Sequence, residues 1–142
     1  MATLERAIEI AVDAHRNQVD KAGFPYILHP LRVMLAVSGS EEQMAALLHD
    51  VVEDSAWTLE QLAAEGFAEA VVTAVDALTK RRGESRIDAA HRAAAHPIAR
   101  VVKLADNADN MDWQRLPSIT PNDVDRMKQY VDVRAILLAA AS

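Results

Sequence analysis

Apolar residues repeat along this chain at helical spacing, and every glycine falls between the repeats rather than inside one. Leu4, Ala7, Ile8, Ala11 and Val12 mark one face of a first helix, expected over residues 3–18. Gly23, Gly39, Gly66 and Gly83 are the only glycines, and each reads as a helix end or a loop. No stretch alternates apolar and polar residues as a half-buried strand does, and 27 alanines favour helix throughout. The chain is expected to be all-α.

Local signals set the boundaries. A loop rich in Gly and Pro over 19–30 precedes a short second helix over 31–37. Ser40-Glu41-Glu42-Gln43 reads as a capping box, opening a third helix that carries Met44, Leu47, Leu48, Val51 and Val52. Thr58-Leu59-Glu60-Gln61 is a second such box, and its helix stops at Gly66. Further helices are expected over 67–79, from the cap Ser85 to about 95, from Pro97 through 112, and from Thr120-Pro121 to about 140. The expected architecture is a compact bundle of seven to eight helices forming one domain over residues 1–142. A chain of that length buries roughly 70% of its unfolded surface, so a core needs no covalent staples.

Several function classes drop out on composition. Without cysteine there is no disulfide framework, thiolate zinc site or thiol nucleophile. The balance of 21 acids against 15 basic residues, a net charge of −6, argues against nucleic-acid binding, because phosphate-backbone affinity comes from basic surface. A small anionic substrate held by a few cations or a metal is still compatible. Uncharged runs such as 33–40 and 135–142 are too short to span a bilayer, and Glu5 and Glu9 disfavour a targeting peptide. A soluble, cytoplasmic protein is expected, with no membrane or nucleic-acid partner.

Three polar clusters resist a purely structural explanation. On a continuous helix His49, Asp50, Glu53 and Asp54 fall within an arc of roughly 140°, opposite Met44, Leu47 and Leu48. An acidic solvated face is the simple reading. Three acids near a helix end nevertheless oppose the helix dipole and repel one another, and a cation removes both penalties. Asp106 and Asn110 share a face, with Asp109 and Asp112 adding charge at the same disfavoured end. His29 lies between Pro25-Tyr26-Ile27-Leu28 and Pro30, at a loop-to-helix junction. His15 is read as a cap by dipole complementarity, and His91 and His96 as surface residues. His29, His49, Asp50 and Asp106 together offer two imidazoles and two carboxylates, a set that suits Mn²⁺ or Fe²⁺, with Zn²⁺ a further option.

These residues, in this order, resemble the histidine–aspartate (HD) superfamily of metal-dependent phosphohydrolases. The flanking motifs His15-Arg16-Asn17-Gln18, Gly23-Phe24-Pro25-Tyr26 with His29-Pro30, residues 46–54, and Lys103-Leu104-Ala105-Asp106 with Asn110 are similar to the hydrolase domain of RelA/SpoT homologues. The resemblance implies an HD-type fold and a stand-alone small alarmone hydrolase of the stringent response. It implies that His29, His49, Asp50 and Asp106 hold Mn²⁺ while Glu53 and Asp54 serve the attacking water. The implied reaction removes the 3′-pyrophosphate from guanosine tetra- and pentaphosphate, (p)ppGpp, with Lys21 and Asn110 contacting substrate; Arg82, a cation of the charged loop 80–84, is read from its charge as a further substrate contact. Two positions depart from the family pattern: Asp20 replaces an arginine that stacks on guanine, and Trp113 replaces a small polar residue. Another phosphorylated nucleotide or dinucleotide is the alternative substrate, and a non-catalytic nucleotide-binding regulatory domain is the alternative role.

Overall fold

The computed structural model describes residues 1–141; Ser142, the last residue of the expected domain, lies outside the described residues. The elements are α1 (Leu4–Ala14), α2 (Leu28–Leu35), α3 (Ser40–Leu48), α4 (Val51–Asp54), α5 (Leu59–Ala64), α6 (Glu69–Leu78), α7 (Arg86–Ala94), α8 (Pro97–Asn110) and α9 (Pro121–Ala141), with a 3-10 turn over Trp113–Arg115. Among the described residues there is no strand, only an isolated bridge between Val19 and Pro25. The all-α expectation holds: among the described residues there are eight helices and, as a ninth, the single turn α4.

Helix α3 runs through the middle of the bundle, touching α1, α2, α6 and α8. Its Ala45, Ala46, Leu47 and Leu48 are fully buried. Leu47 and Leu48 pack with Ile10, Val51, Leu62, Val71 and Val75. Ala45 and Ala46 pack instead with Ala74, Ala93 and Ala99 beside Val33 and Val102. Small side chains at these crossings let α3, α6, α7 and α8 approach closely, which is what the alanine abundance is for. A third cluster, Ala90, Ala94, Val133 and Leu137, seats α9 on α7.

Three expectations need correction. Ser40 is not a cap: Gly39, at φ +98°, takes the cap position and its carbonyl accepts from Gln43 N at 3.0 Å. Glycine tolerates that backbone, so the helix starts one residue earlier than the serine suggests. The third helix is not continuous through Val52. It ends at Leu48, and Asp50 sits at φ −105°, ψ 0° before α4 resumes. The second helix begins at Leu28 rather than 31, because a proline in the first turn sacrifices no helical donor. The capping box at Thr58 and Gln61, the Ser85 cap and the first-turn Pro97 are as expected.

Candidate metal centre

The break between α3 and α4 has a chemical consequence. Adjacent residues on an unbroken helix point about 100° apart, yet the kink turns His49 and Asp50 to one point, with His49 Nε2 3.0 Å from Asp50 Oδ2. The first turn of α2 brings His29 there, and α8 brings Asp106. Ligand atoms of His29, His49, Asp50 and Asp106 all lie within 4.8 Å of one another. Three of the four are nearly inaccessible, His29, His49 and Asp106 being no more than 4% exposed.

Each member is held from behind. His49 Nδ1 donates to the Ala46 carbonyl, one turn back on its own helix. His29 Nδ1 donates to Asp109 Oδ2 at 2.6 Å, and Arg32 clamps that carboxylate through Nε and Nη2 at 2.8 and 3.0 Å. The Tyr26 hydroxyl donates to Asp50 Oδ2 at 2.6 Å. Asp106 accepts from Lys103 Nζ at 2.9 Å and from Asn110 Nδ2 at 3.2 Å, and its Oδ1 meets His29 Nε2 at 2.8 Å inside the cluster. Both histidines thus use Nδ1–H on a fixed acceptor, which leaves Nε2 facing the cluster.

That arrangement is a poor resting place for a neutral imidazole and a good one for a cation. His49 Nε2 is buried without a hydrogen-bond partner, facing carboxylate oxygens at 3.0 Å on Asp50 and 3.4 Å on Asp106. A lone pair beside two anionic oxygens is repulsive unless a proton or metal ion lies between them. Burial by itself lowers the His49 pKa, but Asp50 and Asp106 outweigh it and hold the value well above that of free histidine. Burial likewise opposes ionisation of Asp50, and His49 reverses the effect, bringing it down to about 2. Asp106 is kept ionised against burial by Lys103 and the two imidazoles. Two imidazoles and two ionised carboxylates around one point fit a divalent metal ion.

The cluster lies in the wall of a cavity of about 630 Å³. Glu53 and Asp54 also line it. Glu53 Oε1 accepts from Lys80 N at 2.8 Å, which ties α4 to the loop between α6 and α7. Asp54 is pushed up to about 6, first by burial and then by Asp50 and Glu53. Lys21 and Asn110 line the same cavity, whereas Arg82 is exposed on the α6–α7 loop and does not. Asp20 is occupied as a loop staple, its Oδ1 accepting from Ala22 N and Phe24 N, while Trp113 lines the cavity.

Other lining residues were not singled out by sequence. Arg86 lies over the Tyr130 ring at 5.3 Å, and both stand near Lys21 and Arg126. The first-turn position of Arg86 after the Ser85 cap was the only signal available. His15 does sit at the α1 C-cap, but burial lowers its pKa, so it is a neutral partner of Gln18 rather than a cation on the dipole. His96 is half-buried, not a free surface residue: its Nδ1 accepts from Ala99 N and caps α8.

The model of the HD-domain family matches residues 7–104. The chain belongs to the HD-domain family. This HD domain is 35% identical over 120 residues to a guanosine-3′,5′-bis(diphosphate) 3′-pyrophosphohydrolase of Aquifex aeolicus, covering 76% of this chain and 17% of that one. It is 38% identical over 128 residues to the enzyme of the same description from Haemophilus influenzae, covering 80% and 18%. A probable GTP pyrophosphokinase of Mycobacterium leprae is 38% identical over 128 residues, 81% of this chain and 16% of that one. The HD domain thus spans less than a fifth of the length of these relatives. Among solved structures, a metazoan ortholog of SpoT described as hydrolysing ppGpp superposes with a TM-score of 0.80 at 26% identity, covering 96% of this chain and 86% of that chain.

Proposed function

We propose that this HD domain is a metal-dependent pyrophosphohydrolase that removes the 3′-pyrophosphate of guanosine tetra- and pentaphosphate. The observation that carries the reading is the convergence of His29, His49, Asp50 and Asp106 within 4.8 Å, with the partnerless His49 Nε2 at its centre, in the wall of a nucleotide-sized cavity. The similarity to 3′-pyrophosphohydrolases along most of this chain supports the substrate. His29 and His49 through Nε2, and Asp50 and Asp106 through carboxylate oxygens, would hold the ion. We infer Mn²⁺ from the resemblance to the hydrolase domain of RelA/SpoT homologues; the mixed nitrogen and oxygen donor set accommodates Fe²⁺ or Zn²⁺ as well. When bound, such an ion supplies Lewis-acid polarisation of a phosphoryl oxygen and acidifies water.

The remaining groups divide between water and substrate. Asp54, with its pKa near 6, is matched to accepting a proton from water at neutral pH. Glu53, fixed by the Lys80 amide, orients that water from the side of the α6–α7 loop. Attack at the phosphorus next to the ribose breaks its bond to the 3′-oxygen, which leaves with a proton as the 3′-hydroxyl. Lys21, Arg86 and Arg126 form a cationic stretch of cavity wall suited to the phosphates of the substrate, and Asn110 is available to its polar groups. Arg82 contacts substrate in this reading only if its loop closes over the cavity. Residues 1–142 act as one domain.

A second reading, hydrolysis of another phosphorylated nucleotide, is favoured by one observation: the Asp20 carboxylate is spent on its own loop while the Trp113 indole stands in the cavity wall. Assaying Mn²⁺-loaded protein against a nucleotide panel separates the two. Turnover of guanosine 3′-pyrophosphates supports the first; turnover confined to another nucleotide overturns it. A non-catalytic binding domain would keep its function in Glu53→Ala, which we expect instead to lose turnover.

A further inference from the structure

We propose that Asp109 is the positioning residue for His29, fixing its tautomer and ring so that Nε2 is presented to the metal. The role rests on the metal-centre reading above. Asp109 is on α8, three residues beyond Asp106, and 80 residues from the histidine it holds. Its Oδ2 accepts from His29 Nδ1 at 2.6 Å. Because an ionised carboxylate can only accept, that contact demands a proton on Nδ1. On the opposite side of the ring Nε2 faces Asp106 Oδ1 at 2.8 Å, so with Nδ1 protonated it is Nε2 whose proton a metal ion at the cluster would displace.

The carboxylate is itself immobilised, as an orienting group must be. Arg32 holds it through two parallel bonds, Nε to Oδ1 at 2.8 Å and Nη2 to Oδ2 at 3.0 Å, and Arg115 approaches Oδ1 at 3.5 Å. Arg32 is one turn along α2 from His29, so Asp109 also locks the α2 first turn to α8. The contrast with His49 is informative. There the Nδ1 acceptor is the main-chain carbonyl of Ala46, which no substitution removes. At His29 the same task falls to a side chain, and that makes it testable. A carboxylate behind a metal-binding histidine also raises the basicity of the ligand nitrogen.

The test measures metal uptake rather than turnover. Mn²⁺ and Zn²⁺ affinities are titrated calorimetrically in the wild type, Asp109→Ala, Asp109→Asn and Asp112→Asn. The last removes an equal charge three residues along the chain, at an acid that Arg115 also approaches. We expect Asp109→Ala to weaken binding about 10- to 100-fold. Asp109→Asn, which keeps an acceptor, is expected to lose less, and Asp112→Asn to stay near wild type. Equal loss in Asp112→Asn would reduce the effect to bulk charge and overturn the role, as would unchanged affinity in both Asp109 variants. If those variants fail to fold, the zinc-loaded wild type decides. Its imidazole NMR spectrum should show a strongly deshielded proton on His29 Nδ1, and an unprotonated Nδ1 contradicts the proposal. A wild type that takes up neither ion contradicts the metal centre itself, a failure distinct from intact wild-type binding with insensitive variants.

Discussion

His49 and Asp106 are the two residues at which the account is most exposed to mutation. Both are buried and face each other across the cluster, so neutralising either removes a candidate ligand while leaving the surrounding packing in place. His49→Ala and Asp106→Asn are expected to abolish turnover and metal uptake while far-UV circular dichroism stays native; loss of the fold in both would assign them structural roles instead. Asp54 makes a different prediction. Its pKa is raised to about 6 in the metal-free site, first by burial, and a cation at Asp50 lowers it, so turnover of the loaded protein should rise with pH along an acidic limb no higher than about 6, and Asp54→Asn should remove that limb. The folded-state pKa is raised, so the native state binds this proton more tightly than the unfolded chain does. Its charge therefore costs the fold stability as pH rises through 4 to 6. Asp54→Asn should accordingly raise the Tm of metal-free protein at pH 8 and not at pH 3.5. The four candidate ligands were legible in sequence through separate signals: His49-Asp50 as a charged pair near a helix end, His29 at a loop-to-helix junction before Pro30, and Asp106 on the face it shares with Asn110. Asp109 and Tyr26 were not, because each acts on a residue 80 or 24 positions away and neither differs locally from an ordinary polar residue.

The helices themselves were mostly legible, since alanine and leucine spacing records which face is buried. What spacing does not record is a break. Nothing in Leu47-Leu48-His49-Asp50-Val51-Val52 departs from helical periodicity, yet the chain kinks at Asp50, and the kink is what lets neighbouring side chains share one point. The His49 bond to the Ala46 carbonyl sits at that break, a side-chain competitor for a helical acceptor. Helix α8, which carries Asp106, starts from an equally illegible device, the His96 imidazole as cap. His96→Ala should cost about 1 kcal/mol in denaturant unfolding, and His96→Asp, a better cap on the positive end of the dipole, should recover it. An unchanged midpoint in His96→Ala would mean the cap bond carries nothing. In the centre of the bundle, Leu47→Ala should cost about 2–5 kcal/mol, because its fully buried site has no room to collapse.

At the scale of the whole molecule, a net charge of −6 reads first as solubility. Seven of the 21 acids line one cavity instead, four of them, Asp50, Glu53, Asp54 and Asp106, at the candidate metal centre, and a divalent ion there brings the total to −4. The same cavity carries Lys21, Arg86 and Arg126, so one wall is built for a cation and another for an anion. Among the described residues no helix is long and apolar enough to cross a membrane. Metal binding and folding should be linked: an ion at 100 times its Kd is expected to stabilise the protein by about 2.7 kcal/mol, read as a rise in Tm that a chelator reverses. The most direct test of the central claim is pyrophosphate release from guanosine tetraphosphate by purified protein, before and after stripping with chelator and reloading with Mn²⁺. The account expects release that vanishes on stripping, returns on reloading, and is absent in Asp106→Asn. No release from the loaded wild type, or release indifferent to metal, would contradict it.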